Sequence, residues 1–178
     1  MRKIVVTEFV SLDGVVEHPV WTVPYWNDEI ASFKGEEQLA TGALLLGRVT
    51  YEGFAAAWPN SKDEGADQMN SMPKYVVTNT LTNLEWNNSH PISGDAVEGI
   101  KRLQQESGPD LLVYGSATLV QTLVQHDLVD SYRLLVYPVV LGTGKRLFQH
   151  GTTATLRLVE SKAFSTGVTA LLYEPVRS

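Results

Sequence analysis

Two short apolar runs, each ending on a glycine and giving way at once to helical spacing, constrain this chain more than anything else in it. Leu111, Leu112, Val113 and Tyr114 form a strand-like run that stops at Gly115. Ser116, Ala117 and Thr118 then open a segment with Leu119, Val120, Leu123 and Val124 on one helical face. Ala43 to Leu46 form a second such run, cut by Gly47. Arg48, Val49 and Thr50 lead into Tyr51, Phe54 and Trp58, spaced for a short helix that Pro59 closes. A glycine between a strand end and a helix start lets an anion approach the backbone, and the unpaired N–H groups of the first helical turn favour negative charge. Phosphate is the obvious guest. A plain tight turn explains either glycine equally well when it is taken alone.

Taken in order, Ile4 to Val10 reads as a first strand, followed by the turn signal Ser11-Leu12-Asp13-Gly14. Val15 to Tyr25 has no clear period and reads as a long surface loop that shapes a pocket. Asn27 is placed to cap a helix through about Leu39, with Asp28 and Glu29 in its first turn. Ser61 to Met72 is polar and acidic, a loop or a weak helix, and Tyr75 to Thr78 is a short strand stopping at Asn79-Thr80. Asp95 caps a helix bearing Val97, Ile100 and Leu103, which Gly108-Pro109 ends. Leu156 to Ser161 and Thr169 to Tyr173 form an antiparallel hairpin around Ser165-Thr166-Gly167. Strands alternating with helices imply a largely parallel sheet covered on both faces, made mixed by the terminal hairpin. The 178 residues suit one α/β domain, and no internal repeat or linker divides them.

Composition removes several function classes. A formal net charge of −6 repels a polyanion on average, so nucleic acid is a poor partner. The absence of cysteine excludes disulfides, thiol nucleophiles and thiolate metal sites. His18, His90, His126 and His150 lack metal-ligand spacing, so no metal site is expected. The N-terminal apolar run breaks at Thr7 and Glu8, too early for a signal peptide, and no run reaches the ~20 apolar residues of a membrane helix. A cytoplasmic address is expected. There is no G-x-G-x-x-G after a strand, no G-x-x-x-x-G-K-[ST] and no G-x-S-x-G. Gly142-Thr143-Gly144-Lys145 precedes no helical pattern and reads as a loop.

Ligands of open α/β sheets bind beyond the carboxyl ends of the strands. Three such ends carry groups suited to phosphate: Gly47-Arg48 before Thr50, Thr78-Asn79-Thr80, and Gly115-Ser116-Ala117-Thr118. Arg48 offers a cationic fork, and the hydroxyls of Thr78, Thr80, Ser116 and Thr118 offer neutral donors. The alternative is an Arg48 surface ion pair and threonines that satisfy their own helix ends. Asp13 is either a substrate carboxylate or a turn residue, and Asp28 and Glu29 either protonate a substrate or complement the helix dipole. Trp21, Tyr25 and Trp26 either wall a pocket or pack in the core.

The segments LLLGRVTYEGF, YVVTNTL, LLVYGSATLVQTLV and DSYRLLVYPVVLGTGKRLF, in that spacing, resemble the dihydrofolate-reductase-like superfamily. The likeness is closest to the C-terminal reductase domain of the bifunctional riboflavin-biosynthesis deaminase/reductase, and PVVLGTGKRLF with the upstream glycine–helix junction is its most specific part. The resemblance implies a three-layer α/β/α fold that binds NADPH at the sheet's carboxyl edge. It implies that Gly47, Arg48, Val49 and Thr50 meet the cofactor's phosphates and that Thr78, Asn79 and Thr80 lie near the adenosine 2′-phosphate. Gly115, Ser116, Ala117, Thr118 and Leu119 would then turn under the pyrophosphate, and Ser11 to Gly14 would close over nicotinamide and substrate. True dihydrofolate reductases carry a double glycine where this chain has Gly115-Ser116, which favours the riboflavin-type branch. The expected activity is hydride transfer from NADPH to a small C=N or C=O substrate, with Asp13 and Asp28 as candidates for polarisation or proton delivery. A non-catalytic ligand-binding or dimerising member of the same fold is the alternative, and a homodimer is compatible with either.

Overall fold

The computed structural model describes residues 1–177. Eight strands form one sheet: β1 (Ile4–Ser11), β2 (Ala43–Gly47), β3 (Lys74–Val77), β4 (Ser89–Ile92), β5 (Leu111–Val113), β6 (Ser131–Tyr137), β7 (Leu156–Ala163) and β8 (Thr169–Pro175). Their order is β4-β3-β2-β5-β1-β6-β8-β7. All pairings from β4 to β6 are parallel, and β8 runs antiparallel to both β6 and β7. The five α-helices are α1 (Asp28–Thr41), α2 (Arg48–Ala57), α3 (Ala66–Ser71), α4 (Ala96–Gln105) and α5 (Ala117–Gln125).

The alternation of side chains along each strand divides the core into layers. Ile4, Val6, Leu45, Leu111 and Val113 pack with Ile100, Leu103, Leu119 and Leu123 of α4 and α5. Val5, Leu44, Leu46 and Leu112 point the other way, onto Tyr51 of α2 and Met69 of α3, while Ile30 of α1 packs on Leu135, Tyr137 and Phe164. Leu44, Leu45, Leu111 and Leu112 are wholly buried, each contributing about 1.5–3 kcal/mol over its exposed state. That double covering is the three-layer α/β/α arrangement expected of the sequence.

Helix ends follow their caps. The Asn27 side chain accepts from the Ile30 N–H at 3.1 Å, and α1 runs two residues beyond Leu39 to end where Gly42 adopts φ 86°. Asp95 accepts from the Glu98 N–H at 3.0 Å to start α4. The polar segment 61–72 contains the single turn and a half of α3. Two strands go beyond the expected elements. β4 is four residues with Pro91 in it, a composition that marks an edge, and β6 lies within the long apolar stretch before the glycine loop. Val15 and Val16 are buried, and Pro19–Tyr25 forms a 3-10 helix, so the segment expected as surface loop is partly folded into the body. Trp21 and Tyr25 each stack edge-on against Tyr137, which assigns them to core packing. No helix among the described residues is long and apolar enough to cross a membrane.

Candidate active site

The register of the sheet creates a crevice. β1 pairs with β5 only as far as Val6↔Val113, but with β6 it continues to Ser11↔Tyr137. From Thr7 onward one side of β1 is therefore open, because the chain leaves β5 at Tyr114 and turns into α5. A cavity of about 410 Å³ occupies this opening. Its walls are Thr7, Glu8 and Phe9 of β1, Lys34 of α1, Val49, Thr50, Gly53 and Phe54 of α2, and Tyr114 to Thr118. Val16 to Pro19 and Lys145 complete it. The volume falls within the range of small-molecule sites, and the position, beyond the strand ends, is where open α/β sheets bind ligands.

The two glycine junctions meet at the base of this cavity. The Gly47 N–H donates to the Gly115 carbonyl at 3.0 Å. A Cβ added to Gly47 would overlap the Ser116 hydroxyl and come within 2.9 Å of the Ser116 backbone nitrogen. Gly115 has φ 121°, and a Cβ there would stand 3.1 Å from Thr50 Oγ1. Bare backbone is thus required on both sides of the contact. Ser116 caps α5, its hydroxyl accepting from the Leu119 N–H at 3.4 Å, whereas α2 starts at Gly47 with no side-chain cap. Both helix N-termini open on one cavity and leave first-turn N–H groups for a guest.

On the α1 side, a charged cluster is buried beneath the wall. Lys34 donates to Glu37 Oε1 and to Thr7 Oγ1, each at 2.6 Å. Glu37 is completely buried; its second oxygen has no hydrogen-bond partner and lies 4.0 Å from Arg133 Nη1. The Lys34 ammonium also sits 4.8 Å from the centre of the Tyr114 ring. Glu8 is buried beside the cluster, and burial raises its pKa well above 4.5 against the opposing pull of Lys34.

The predicted site residues divide. Val49, Thr50, Gly115, Ser116, Ala117 and Thr118 line the cavity, with Gly47 directly beneath. Leu119 is buried in the core and contributes only its backbone to the turn. Arg48 points outward and pairs with Glu52 at 2.9 Å, both side chains about half exposed. Thr78 spends its hydroxyl on the N–H groups of Thr80 and Leu81, at 3.2 and 3.1 Å, and Asn79 is bound to Gly94. The loop holding Thr78, Asn79 and Thr80 does not reach the cavity, because β3 lies beyond β2 on the side away from β1.

Neither aspartate lines the cavity. Asp13 accepts from Ser11 Oγ at 2.6 Å and from the N–H groups of Leu141 and Gly142 at 3.1 and 2.8 Å. These bonds hold its carboxyl well below the usual range, so it stays ionised and has no proton to deliver. Its work is to tie the turn after β1 to the loop after β6. Asp28 is exposed at the start of α1, outside the cavity, where the helix dipole accounts for it.

Glu8, Lys34, Tyr114 and Lys145 are among the cavity groups not expected from the sequence. Glu8 had a signal: it is a lone charge inside an otherwise apolar strand of a sheet covered on both faces. Lys145 comes to the cavity because Asp13 and Glu17 hold its loop; Glu17 accepts from the Lys145 N–H at 3.1 Å, and Lys145 Nζ lies 3.5 Å from Thr118 Oγ1.

Comparison with known proteins agrees with this architecture. The sequence matches the family profile of the RibD C-terminal domain over residues 2–170. The chain belongs to the RibD C-terminal domain family. A relative in that neighbourhood is the uncharacterized protein YwjB of Bacillus subtilis (strain 168), 31% identical over 175 residues that cover 94% of this chain and 95% of YwjB. The Thermotoga maritima diaminohydroxyphosphoribosylaminopyrimidine deaminase/5-amino-6-(5-phosphoribosylamino)uracil reductase superposes with a TM-score of 0.69 at 15% identity. That match covers 98% of this chain and 57% of the bifunctional protein. Dihydrofolate reductase from Enterococcus faecalis, solved in complex with NADP(H), gives a TM-score of 0.64 at 14% identity, covering 97% and 96% of the two chains. This RibD C-terminal domain protein therefore has the dihydrofolate-reductase-like fold. In it, the crevice between β1 and β5 brings two helix starts and a buried acid to one cavity.

Proposed function

We propose that this protein is an NADPH-dependent reductase of a small pterin-, pyrimidine- or ribosyl-like molecule with a C=N or C=O group, acting in the crevice between β1 and β5. The observation that carries the reading is the contact of Gly47 with Gly115 and Ser116, which opens two helix N-termini on one cavity. The donor set fits the cofactor. Uncapped N–H groups at the start of α2, the turn at Gly115, the Thr50 and Thr118 hydroxyls and the Lys145 ammonium are all groups that hold phosphate. Arg48 is near the α2 start and reaches the same guest if it leaves Glu52. Bound NADPH would supply the hydride.

The chain's own part is to bind, orient and shield. Phe9, Val16 and Phe54 present apolar surface that excludes water from a flat ring, and the Lys34 ammonium, held by Thr7 and Glu37, presents positive charge beside it. The test is titration of the purified protein into NADPH, followed by fluorescence, then loss of the reduced-nicotinamide absorbance with dihydropterin, aminopyrimidine and simple carbonyl compounds. Saturable binding with turnover of one of these is the expected result. Saturable binding with no turnover of any would make the protein a ligand-binding module, and no binding would remove the cofactor assignment. The same preparation tests assembly: β7 is an eight-residue edge strand exposing Leu158 and Val159, and a homodimer joined there gives twice the chain mass by light scattering.

A further inference from the structure

Glu8 is the cavity group with the least to hold it. It is 9% exposed, and among the described residues its carboxyl makes no hydrogen bond, although it stands in the middle of a strand covered on both sides. It borders the cavity next to the Gly115 turn, where a Cβ added to that glycine would lie 3.8 Å from Glu8 Oε1. The polar groups on the surrounding elements make their bonds to other residues. Lys34 of α1 is bound to Glu37 and Thr7; Arg133 of β6 lies against Glu37; the Tyr114 hydroxyl at the end of β5 accepts from Gln38 at 3.2 Å. At the cavity mouth Glu17 is bound to the Lys145 N–H and lies 3.8 Å from His18. A buried carboxyl left without a donor is stable only with its proton on, and burial does hold its pKa well above 4.5.

We infer that Glu8 is the proton donor of the reduction, a catalytic residue whose carboxyl faces the atom that must be protonated; the inference rests on the crevice being a reductase site. When the substrate carbon accepts a hydride from a dihydronicotinamide, the π electrons of the C=N or C=O bond pass to nitrogen or oxygen. That atom takes the Glu8 proton: an N–H or O–H bond forms as the Glu8 O–H bond breaks. The nicotinamide is oxidised by two electrons and the substrate is reduced by two. The carboxylate left behind is transiently stabilised by the Lys34 charge and regains its proton from water at the cavity mouth. This chemistry selects substrates with a lone-pair acceptor, an imine nitrogen or a carbonyl oxygen, on the edge that enters the crevice. An activated alkene with no such atom is excluded.

The experiment follows the Glu8 proton directly. Protein labelled with ¹³C at glutamate side-chain carboxyls is titrated by NMR, with Glu8→Gln to assign the resonance and Glu8→Asp as a second assignment should the first fold poorly. The expected result is one carboxyl that keeps its proton well above the ordinary glutamate range, still protonated at pH 7, and is missing from the variant. NADPH titration of Glu8→Gln is expected to give a dissociation constant within about threefold of wild type, while turnover of a compound that the wild type reduces falls about 10²-fold or more. Wild-type turnover is expected to decline with rising pH in step with the Glu8 resonance, and Glu8→Asp to restore part of it. A Glu8 carboxyl ionised at pH 7, or a Glu8→Gln protein with wild-type turnover, overturns the proton-donor role and leaves the cofactor reading standing. A wild-type protein that binds no NADPH overturns both.

Discussion

The contact between the two glycine junctions is open to a single-atom test, Gly47→Ala. Its φ of −76° is acceptable for alanine, so the backbone itself does not object to the change. The added methyl does. It overlaps the Ser116 hydroxyl, which can rotate away, and stands 2.9 Å from the Ser116 backbone nitrogen and 3.1 Å from its Cβ, which cannot. Relief requires the starts of α2 and α5 to separate, which stretches the 3.0 Å bond from the Gly47 N–H to the Gly115 carbonyl. Overpacking of this kind costs about 1–3 kcal/mol and loss of the hydrogen bond about 0.5–1.5. Together they lower the melting temperature by roughly 3–18 °C at this chain length. NADPH affinity falls at least tenfold, because both sets of N–H groups move. Gly35→Ala is the control: nothing lies within 4 Å of the new methyl, in the middle of α1, and it should be neutral or stabilising by up to about 1 kcal/mol. Thermal unfolding and fluorescence titration measure both effects. A Gly47→Ala protein with wild-type melting and wild-type NADPH binding would refute the shared cradle.

Three further outcomes follow from the same geometry. Arg48→Ala should weaken NADPH binding by about 1–3 kcal/mol if its guanidinium exchanges Glu52 for phosphate; an unchanged titration curve leaves it as a surface partner only. Glu37→Ala strips Lys34 of its carboxylate in a buried setting and should destabilise the fold by about 3–5 kcal/mol, measured by urea unfolding. Glu8 sets a pH dependence whose sign is fixed: its raised pKa means that, above about pH 4.5, the folded state holds a proton that the unfolded state has released. Stability should therefore fall as pH rises from that value through the folded-state pKa, and Glu8→Gln should remove that part of the slope in urea titrations at several pH values.

The strand–glycine–helix junctions were legible because their signal is local. A continuous apolar run becomes a period near 3.6 at a residue without a side chain, and the sheet's carboxyl edge follows from that. The direction of a long or hydroxylated side chain is not local in the same way. Thr78 satisfies two N–H groups of its own turn, and Arg48 at i and Glu52 at i+4 find each other on one helix face. Both are alternatives that sequence alone leaves open. Lys34 and Glu37 were illegible for the opposite reason. An i, i+3 charge pair on a helix is usually solvated and a leucine usually inside, yet here the pair is buried and Leu39 is 72% exposed. Only the position of β1 and Tyr114 over α1 decides which face is inside.

Glu8 in the carboxyl half of β1 and Asp13 in the turn after it show how environment rather than residue type assigns the chemistry. Asp13 receives three donors and sits at the protein surface, so its charge is permanent and its use is mechanical: it fixes the loop that brings Lys145 to the cavity. Glu8, five residues earlier on the same chain, receives none and is buried at the cavity wall, so burial raises its pKa and favours the protonated form. A reading by type would have chosen the aspartate next to the glycine turn as the acid. The hydrogen-bond count reverses that choice: a carboxyl already supplied with N–H and O–H donors has given up its proton before any substrate arrives, whereas one buried without them holds its proton more tightly.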